Sequence, residues 1–190
     1  MNIFILDINP QIAAQSQCDK HVVKMILESV QMLSTAHRVL DGRMTIKKSK
    51  SNRNVKTWLL DDYRETLLYK SAHVNHPCSI WCRESAVNYY WLLSHVKALC
   101  DEFHYRFNKV HKSGSLLGLL SKLPEALLRD YTYSDDIPAK FAVAISEKIY
   151  PGVKDEKNPV ESYQEYYRRK NAEQFEMKWT KRKAPKWMNI

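Results

Sequence analysis

Over most of this chain the apolar residues return every three or four positions, the period of a helix with one buried face. Across 18–40, Val22, Ile26, Val30, Leu33, Ala36 and Leu40 form such a stripe and predict a long helix. The same helix carries a second, polar stripe: His21, Lys24, Glu28, Gln31 and Thr35 fall in line on another side. A second long helix is predicted over 79–108, rich in rings: Trp81, Tyr89, Tyr90, Trp91, Phe103, Tyr105 and Phe107, most of them core. Glu84, Asn88 and Trp91 share one of its sides. Shorter helices are predicted at 58–72, at 114–128 with a break before Pro124, and at 139–150, ended by Pro151-Gly152. Asn9-Pro10 and Asn158-Pro159, the latter with Glu161 following, read as capped helix starts, the second helix running to about 179. Residues 3–6 form a short apolar run, extended and buried, and 129–138 read as a loop.

The pattern predicts a mainly α fold: one compact domain over 1–190, a helical bundle around two long helices, with little or no β-sheet. Only four glycines occur, and three of them, Gly42, Gly114 and Gly152, lie where the periodicity breaks. With 190 residues, 44% of them hydrophobic, the chain is long enough to bury a proper core. Residues 41–57 interrupt the helical pattern with Arg43, Lys47, Lys48, Lys50, Arg53 and Lys56 against the single acid Asp41. Their Ser and Asn content predicts a mobile basic loop, able to close over a phosphate backbone or simply to stay solvated.

Charge narrows the partners. The formal net charge is +9 and the isoelectric point about 9.3, which favours an anionic partner, nucleic acid first. Lys20 and Lys24 flank the His21–Glu28 stripe, and Arg83 follows a second polar string, Asn75-His76-Pro77-Cys78. Arg168, Arg169 and Lys170 precede a C-terminal tail, 178–190, in which Lys181, Arg182 and Lys183 alternate with Trp179 and Trp187. Cations hold phosphates; Trp179, Trp187, Tyr166 or Tyr167 could stack on or wedge between bases. No apolar run reaches the length of a membrane span, the N-terminus lacks a secretion signal, and four thiols (Cys18, Cys78, Cys82 and Cys100) suit a reducing compartment. A cytoplasmic monomer without a cofactor, bound to double-stranded DNA, is the expectation.

Glu28 is the best candidate for acid–base work, since Lys24 at i−4 and His21 at i−7 can tune a carboxylate. A surface ion pair with Lys24 is the plainer alternative. A metal site built from Cys18, His21, His73, His76 and Cys78 is the chemical rival, although no Cys-x2-Cys pair supports it. No glycine-rich phosphate loop is present, which disfavours a nucleotide-driven motor or kinase.

The spacing from Asp19-Lys20-His21 to Glu28 resembles the first long helix of the pyrimidine-dimer DNA glycosylases of the phage endonuclease V type. There an Asp-x-His at the helix start precedes a catalytic Glu nine residues after the Asp. Ile137-Pro138 leading to Ala142-Val143-Ala144-Ile145-Ser146 resembles that family's Ile-Pro and Ala-Ile-Ser segments, and Arg182-Lys183-Ala184-Pro185-Lys186-Trp187 its Arg-Pro-x-Trp ending. The likeness lies in separate islands along a longer, divergent, phage-type chain, with extra residues at 41–57 and 150–160. It implies a compact helical domain that extrudes a nucleotide and cleaves the N-glycosidic bond of a damaged or modified base, with possible lyase action. Glu28 would support an imine formed by an N-terminal α-amine, with His21 positioning it or a phosphate. The family exposes that amine by removing Met before a small residue, whereas Asn2 follows Met1 here. The amine could then be that of Met1; Lys20 or Lys24 could form the Schiff base instead; Glu28 could activate water; or the fold could bind DNA without chemistry. Lys20, Lys24, His76, Arg83 and the tail would hold DNA, and Trp81 or Trp91 would face the flipped base.

Overall fold

A computed structural model describes residues 1–49, 51–129, 138 and 140–189. Lys50, the expected loop at 130–137 with the Ile137 of the resemblance, Ala139 and Ile190 lie outside the described residues. The chain order is α1 (Pro10–Ser16), α2 (Asp19–Asp41), β1 (Arg43–Lys48), β2 (Asn54–Leu59), α3 (Arg64–Leu67), α4 (Pro77–Glu84), α5 (Ala86–Phe107), α6 (Leu117–Leu120), α7 (Glu125–Arg129) and α8 (Pro159–Glu173). Short 3-10 turns at Lys112–Leu116 and Lys186–Asn189 complete it. The fold is mainly α, with a small two-stranded sheet. Among the described residues no helix is long and apolar enough to cross a membrane.

The two long helices, α2 and α5, pack on each other, and α1 and α4 close around them. Val22, Ile26, Val30 and Leu33 of α2 are fully buried, as the core stripe requires. The polar stripe of α2 is not a solvent face throughout. His21 and Thr35 are buried and Gln31 is half-buried, so the stripe is open only around Lys24, with Glu28 at its edge.

Several expected elements differ. The basic segment is an antiparallel hairpin rather than a loop, paired from Arg43 opposite Leu59 to Lys48 opposite Asn54. Met44 and Ile46 alternate with Arg43, Thr45 and Lys47, a two-residue period, and Asn52 turns the chain at φ 58°. The helix expected at 58–72 is confined to α3, because Trp58 and Leu59 complete β2. The helix expected at 79–108 begins earlier and breaks at Ser85, which is extended (φ −152°, ψ 158°) and caps α5 by accepting the Asn88 N–H at 3.1 Å. Between Lys140 and Ser146 the chain is irregular, not helical, and Tyr163 of α8 accepts the Ala144 N–H at 2.9 Å. Helix α8 stops at Glu173 rather than near 179.

Two buried arginines hold these parts together. Arg38 is fully buried, and its guanidinium serves the Tyr69, Trp58, Glu65 and Leu68 carbonyls at 2.7–3.2 Å as well as the Glu65 carboxylate. It thereby fixes the hairpin's base to α2. Gly42 lies where α2 meets β2: a Cβ there would sit 2.4 Å from the Arg38 carbonyl oxygen, so no larger residue fits without a shift. Arg106 bonds Glu102 at 2.6 Å, Asp19 at 2.9 Å and the Gln17 and Gln15 carbonyls. Asp19 also accepts from Thr180, tying the tail to the start of α2.

Candidate functional site

Residues 3–6 are buried, as expected, and the chain takes an unusual turn at Phe4, where φ is +56°. That conformation is unfavourable for a bulky residue. The Phe4 ring is held between the rings of His21 (centroids 4.4 Å, stacked) and Tyr166 (5.8 Å). The turn at Phe4 sends the N-terminus back beside α2. There Asn2 is a tether: its Oδ1 accepts from the Ile3 N–H at 2.8 Å and from the Tyr163 hydroxyl at 2.7 Å, and its Nδ2 donates to the Ala144 carbonyl at 3.3 Å. The Met1 side chain is buried against Ser79, whose hydroxyl donates to its sulfur at 3.4 Å.

Pinned in this way, the Met1 ammonium lies 3.5 Å from Glu28 Oε2, and the Asn2 N–H donates to the same oxygen at 3.2 Å. Lys24 Nζ takes the other oxygen at 3.2 Å. Glu28 is only 14% exposed, so this is not the surface pair with Lys24 that the plainer reading expected. These groups open onto a cavity of about 270 Å³. Its walls are Met1 and Asn2, the His21–Glu28 side of α2, the segment Ala144–Ser146 with Ile149 and Tyr150, and Tyr166 and Lys170 of α8. The Glu28 and Ala-Ile-Ser islands of the sequence thus meet on one cavity.

Three further groups stand in the wall: Tyr150, which the sequence did not single out, and Lys170 and Tyr166, which it offered only as a cation and a stacking ring for nucleic acid. Lys170 Nζ donates to the Tyr166 hydroxyl at 2.9 Å, and burial, helped by the Lys24 charge, pulls its pKa below the usual lysine value. Burial raises the Tyr166 phenol. Tyr150 is buried, and its hydroxyl has no hydrogen-bond partner among the described residues. Such a group in a cavity wall is suited to a ligand atom.

His21 shares the cavity but is not a cation. Its Nδ1 and the Tyr167 hydroxyl share a hydrogen bond at 2.6 Å, and burial, aided by Lys170, pushes its pKa down to about 3. A neutral ring cannot hold a phosphate by charge, so His21 serves as a wall and a stacking surface for Phe4. His76 caps α4 by accepting the Cys78 N–H, and burial followed by the Met1 ammonium lowers its pKa.

Most of the other expected DNA contacts are engaged inside the protein. Arg83 donates to the Val74 and Ser79 carbonyls. Arg168 and Arg169 share Glu165, and each also reaches a carbonyl, of Trp187 and Pro151 respectively. Arg182 pairs with Glu102, and Lys181 donates to the Tyr105 carbonyl. Trp187 packs edge-on against Tyr167. Lys183 and Lys20 stay exposed, Lys20 lying over the Phe175 ring at 3.9 Å. Trp81 and Trp91 are buried against Phe141, which removes them as faces for a flipped base. Tyr167 is fully buried, so only Tyr166 of the two tyrosines lines the cavity. Cys18 and Cys78 are buried, and among the described residues no three His, Cys, Asp or Glu are grouped to hold a metal.

Comparison with family models, with curated proteins and with solved structures finds no match to this chain.

Proposed function

We propose that this protein is a DNA glycosylase with lyase capacity, acting on damaged or modified bases through the N-terminal α-amine. The observation that carries the reading is the Met1 nitrogen 3.5 Å from Glu28 Oε2 on the wall of a cavity. An amine beside a carboxylate is a nucleophile with its base in place. Glu28 takes a proton from the ammonium; the freed amine attacks the anomeric C1′; the glycosidic C–N bond breaks, and Glu28 gives its proton to the leaving base. Opening of the sugar ring, with O4′ taking a proton from the attached nitrogen, gives an imine between C1′ and the N-terminal nitrogen and leaves Glu28 ionised. Glu28 then removes a C2′ proton, the C3′–O bond breaks, and the 3′ phosphate leaves. The resemblance of the Asp19–Glu28 and 142–146 segments to the phage endonuclease V type supports the same assignment.

The test is borohydride reduction in the presence of duplex DNA bearing an abasic site. Wild-type protein is expected to give a covalent adduct and a cleaved strand. Glu28→Gln is expected to keep an adduct and lose cleavage. Absence of adduct and of binding on every abasic or modified duplex sinks the reading. The depressed pKa of Lys170 on the same wall favours a second reading, with Lys170 as the amine. Peptide mapping of the reduced adduct separates the two.

A further inference from the structure

The hairpin projects from the C-terminal end of α2. Residues 43–59 contain no Asp or Glu, and Arg43, Lys47, Lys48, Arg53 and Lys56 are all exposed. Among the described residues none of these five makes an ion pair; the nearest approach is Lys48 Nζ to the Asn52 carbonyl at 3.5 Å. The arginines of α8 and the tail, by contrast, are bound to Glu165 and Glu102. Strand alternation distributes the free cations over both faces, Arg43 and Lys47 on one and Lys48 and Lys56 on the other. Met44, Ile46 and Val55 are about half exposed between them. Met44 and Ile46 share a face with Lys48 and Lys56, and Val55 shares the other with Arg43 and Lys47, so each face sets an apolar group among its cations.

We propose that this hairpin is a β-ribbon that enters the major groove of duplex DNA, its cations on the flanking phosphates and its aliphatic side chains on base edges. A major groove admits a two-stranded ribbon, whereas the deep, narrow major groove of an RNA duplex does not. Helix α2 sets the distance between ribbon and cavity. Asp41, the last residue of α2, follows Glu28 by 13 residues, about 20 Å of helix axis, or about six base pairs. One duplex therefore spans both. The proposal extends the glycosylase reading and takes the duplex from it, but it stands on different residues.

The test measures fluorescence anisotropy of the full-length protein on an abasic duplex between about 50 and 200 mM salt. A hairpin variant (K47Q, K48Q, R53Q, K56Q together) is compared with a control that removes the same charge elsewhere on the surface (K97Q, K109Q, K112Q, K122Q). Circular dichroism checks that both are folded. Four lost phosphate contacts make the slope of log K against log salt shallower by about 3 to 4 for the hairpin variant; the control is expected to change it by less than about 1. Equal slopes for the two variants overturn the proposal, as does wild-type binding to duplex RNA or to phosphatidylserine vesicles as tight as to duplex DNA. Borohydride adducts on the same DNA keep the two readings apart. Hairpin-dependent binding without an adduct leaves the ribbon and removes the enzyme; an adduct with hairpin-independent binding does the reverse.

Discussion

Asn2→Leu tests whether the tether, rather than mere proximity in sequence, places the amine on Glu28. Leucine has nearly the shape of asparagine and is large enough to keep Met1 attached, which alanine would not ensure. The change removes the acceptor that the Ile3 N–H and Tyr163 hydroxyl share at 2.8 and 2.7 Å. Tyr163 keeps the Ala142 carbonyl at 3.1 Å, so its loss is small. Ile3 is buried, and its orphaned N–H costs about 1–3 kcal/mol. Taking about 2 kcal/mol as released only when the first residues leave the cavity, the population with its amine beside Glu28 falls about 30-fold. The assay is the rate of borohydride-trapped adduct on abasic duplex, with circular dichroism to confirm the fold and intact mass to confirm Met1. Trapping at the wild-type rate by a folded, Met1-retaining Asn2→Leu protein refutes the tether.

Arg38→Met leaves Glu65 and four carbonyls without their partner and is expected to destabilise by about 3–5 kcal/mol in urea unfolding; a loss below about 1 kcal/mol would show that water replaces the guanidinium. Tyr150→Phe removes an unpartnered hydroxyl, so stability of the free protein is expected to stay level or rise slightly, while adduct formation slows up to about tenfold if the hydroxyl bonds the substrate; unchanged trapping denies it that role. Burial keeps His21 neutral down to about 3 and His37 and His95 down to about 4, with Lys170 and Arg64 adding to it for the first two. In the unfolded chain these rings titrate near 6.5. The unfolded state therefore binds more protons below that value, so stability is whole above pH 6.5 and falls as the pH drops toward the folded values. Each histidine contributes about 1.4 kcal/mol of loss per pH unit, so urea unfolding at pH 5 should lie about 6 kcal/mol below that at pH 7. A flat profile over that window contradicts the neutral, buried assignment.

The helical frame could be read from the chain because α2 and α5 repeat their apolar residues over many turns. The Glu28 stripe could be read for the same reason: one helix fixes where His21, Lys24 and Glu28 point relative to each other. Its contacts could not. Lys170 and Tyr150 reach the cavity from segments more than a hundred residues away, and a half-buried lysine looks in sequence like any other on a surface helix. The cations of α8 and the tail misled partly for the matching reason, since Glu102 and the Trp187 and Pro151 carbonyls reach them by tertiary packing, although Glu165, three and four residues before Arg168 and Arg169 on the same helix, was within reach of the sequence. The hairpin was hidden because lysine and arginine at alternate positions mask a two-residue apolar period. Ser85 stops a helix in the middle of an aromatic run, where one hydroxyl outweighs the periodicity around it.

The Phe4 turn has a consequence for the order in which the cavity is assembled. Its ring is clamped by Tyr166, and Asn2 is held by Tyr163, both on α8. Residues 2 and 4 thus wait for some 160 more before their partners exist. Until α8 has been translated and has docked, the amine has no fixed station beside Glu28 and no cavity wall opposite it. On the proposed glycosylase reading, a chain lacking α8 would keep the amine and Glu28 but not the clamp that brings them together.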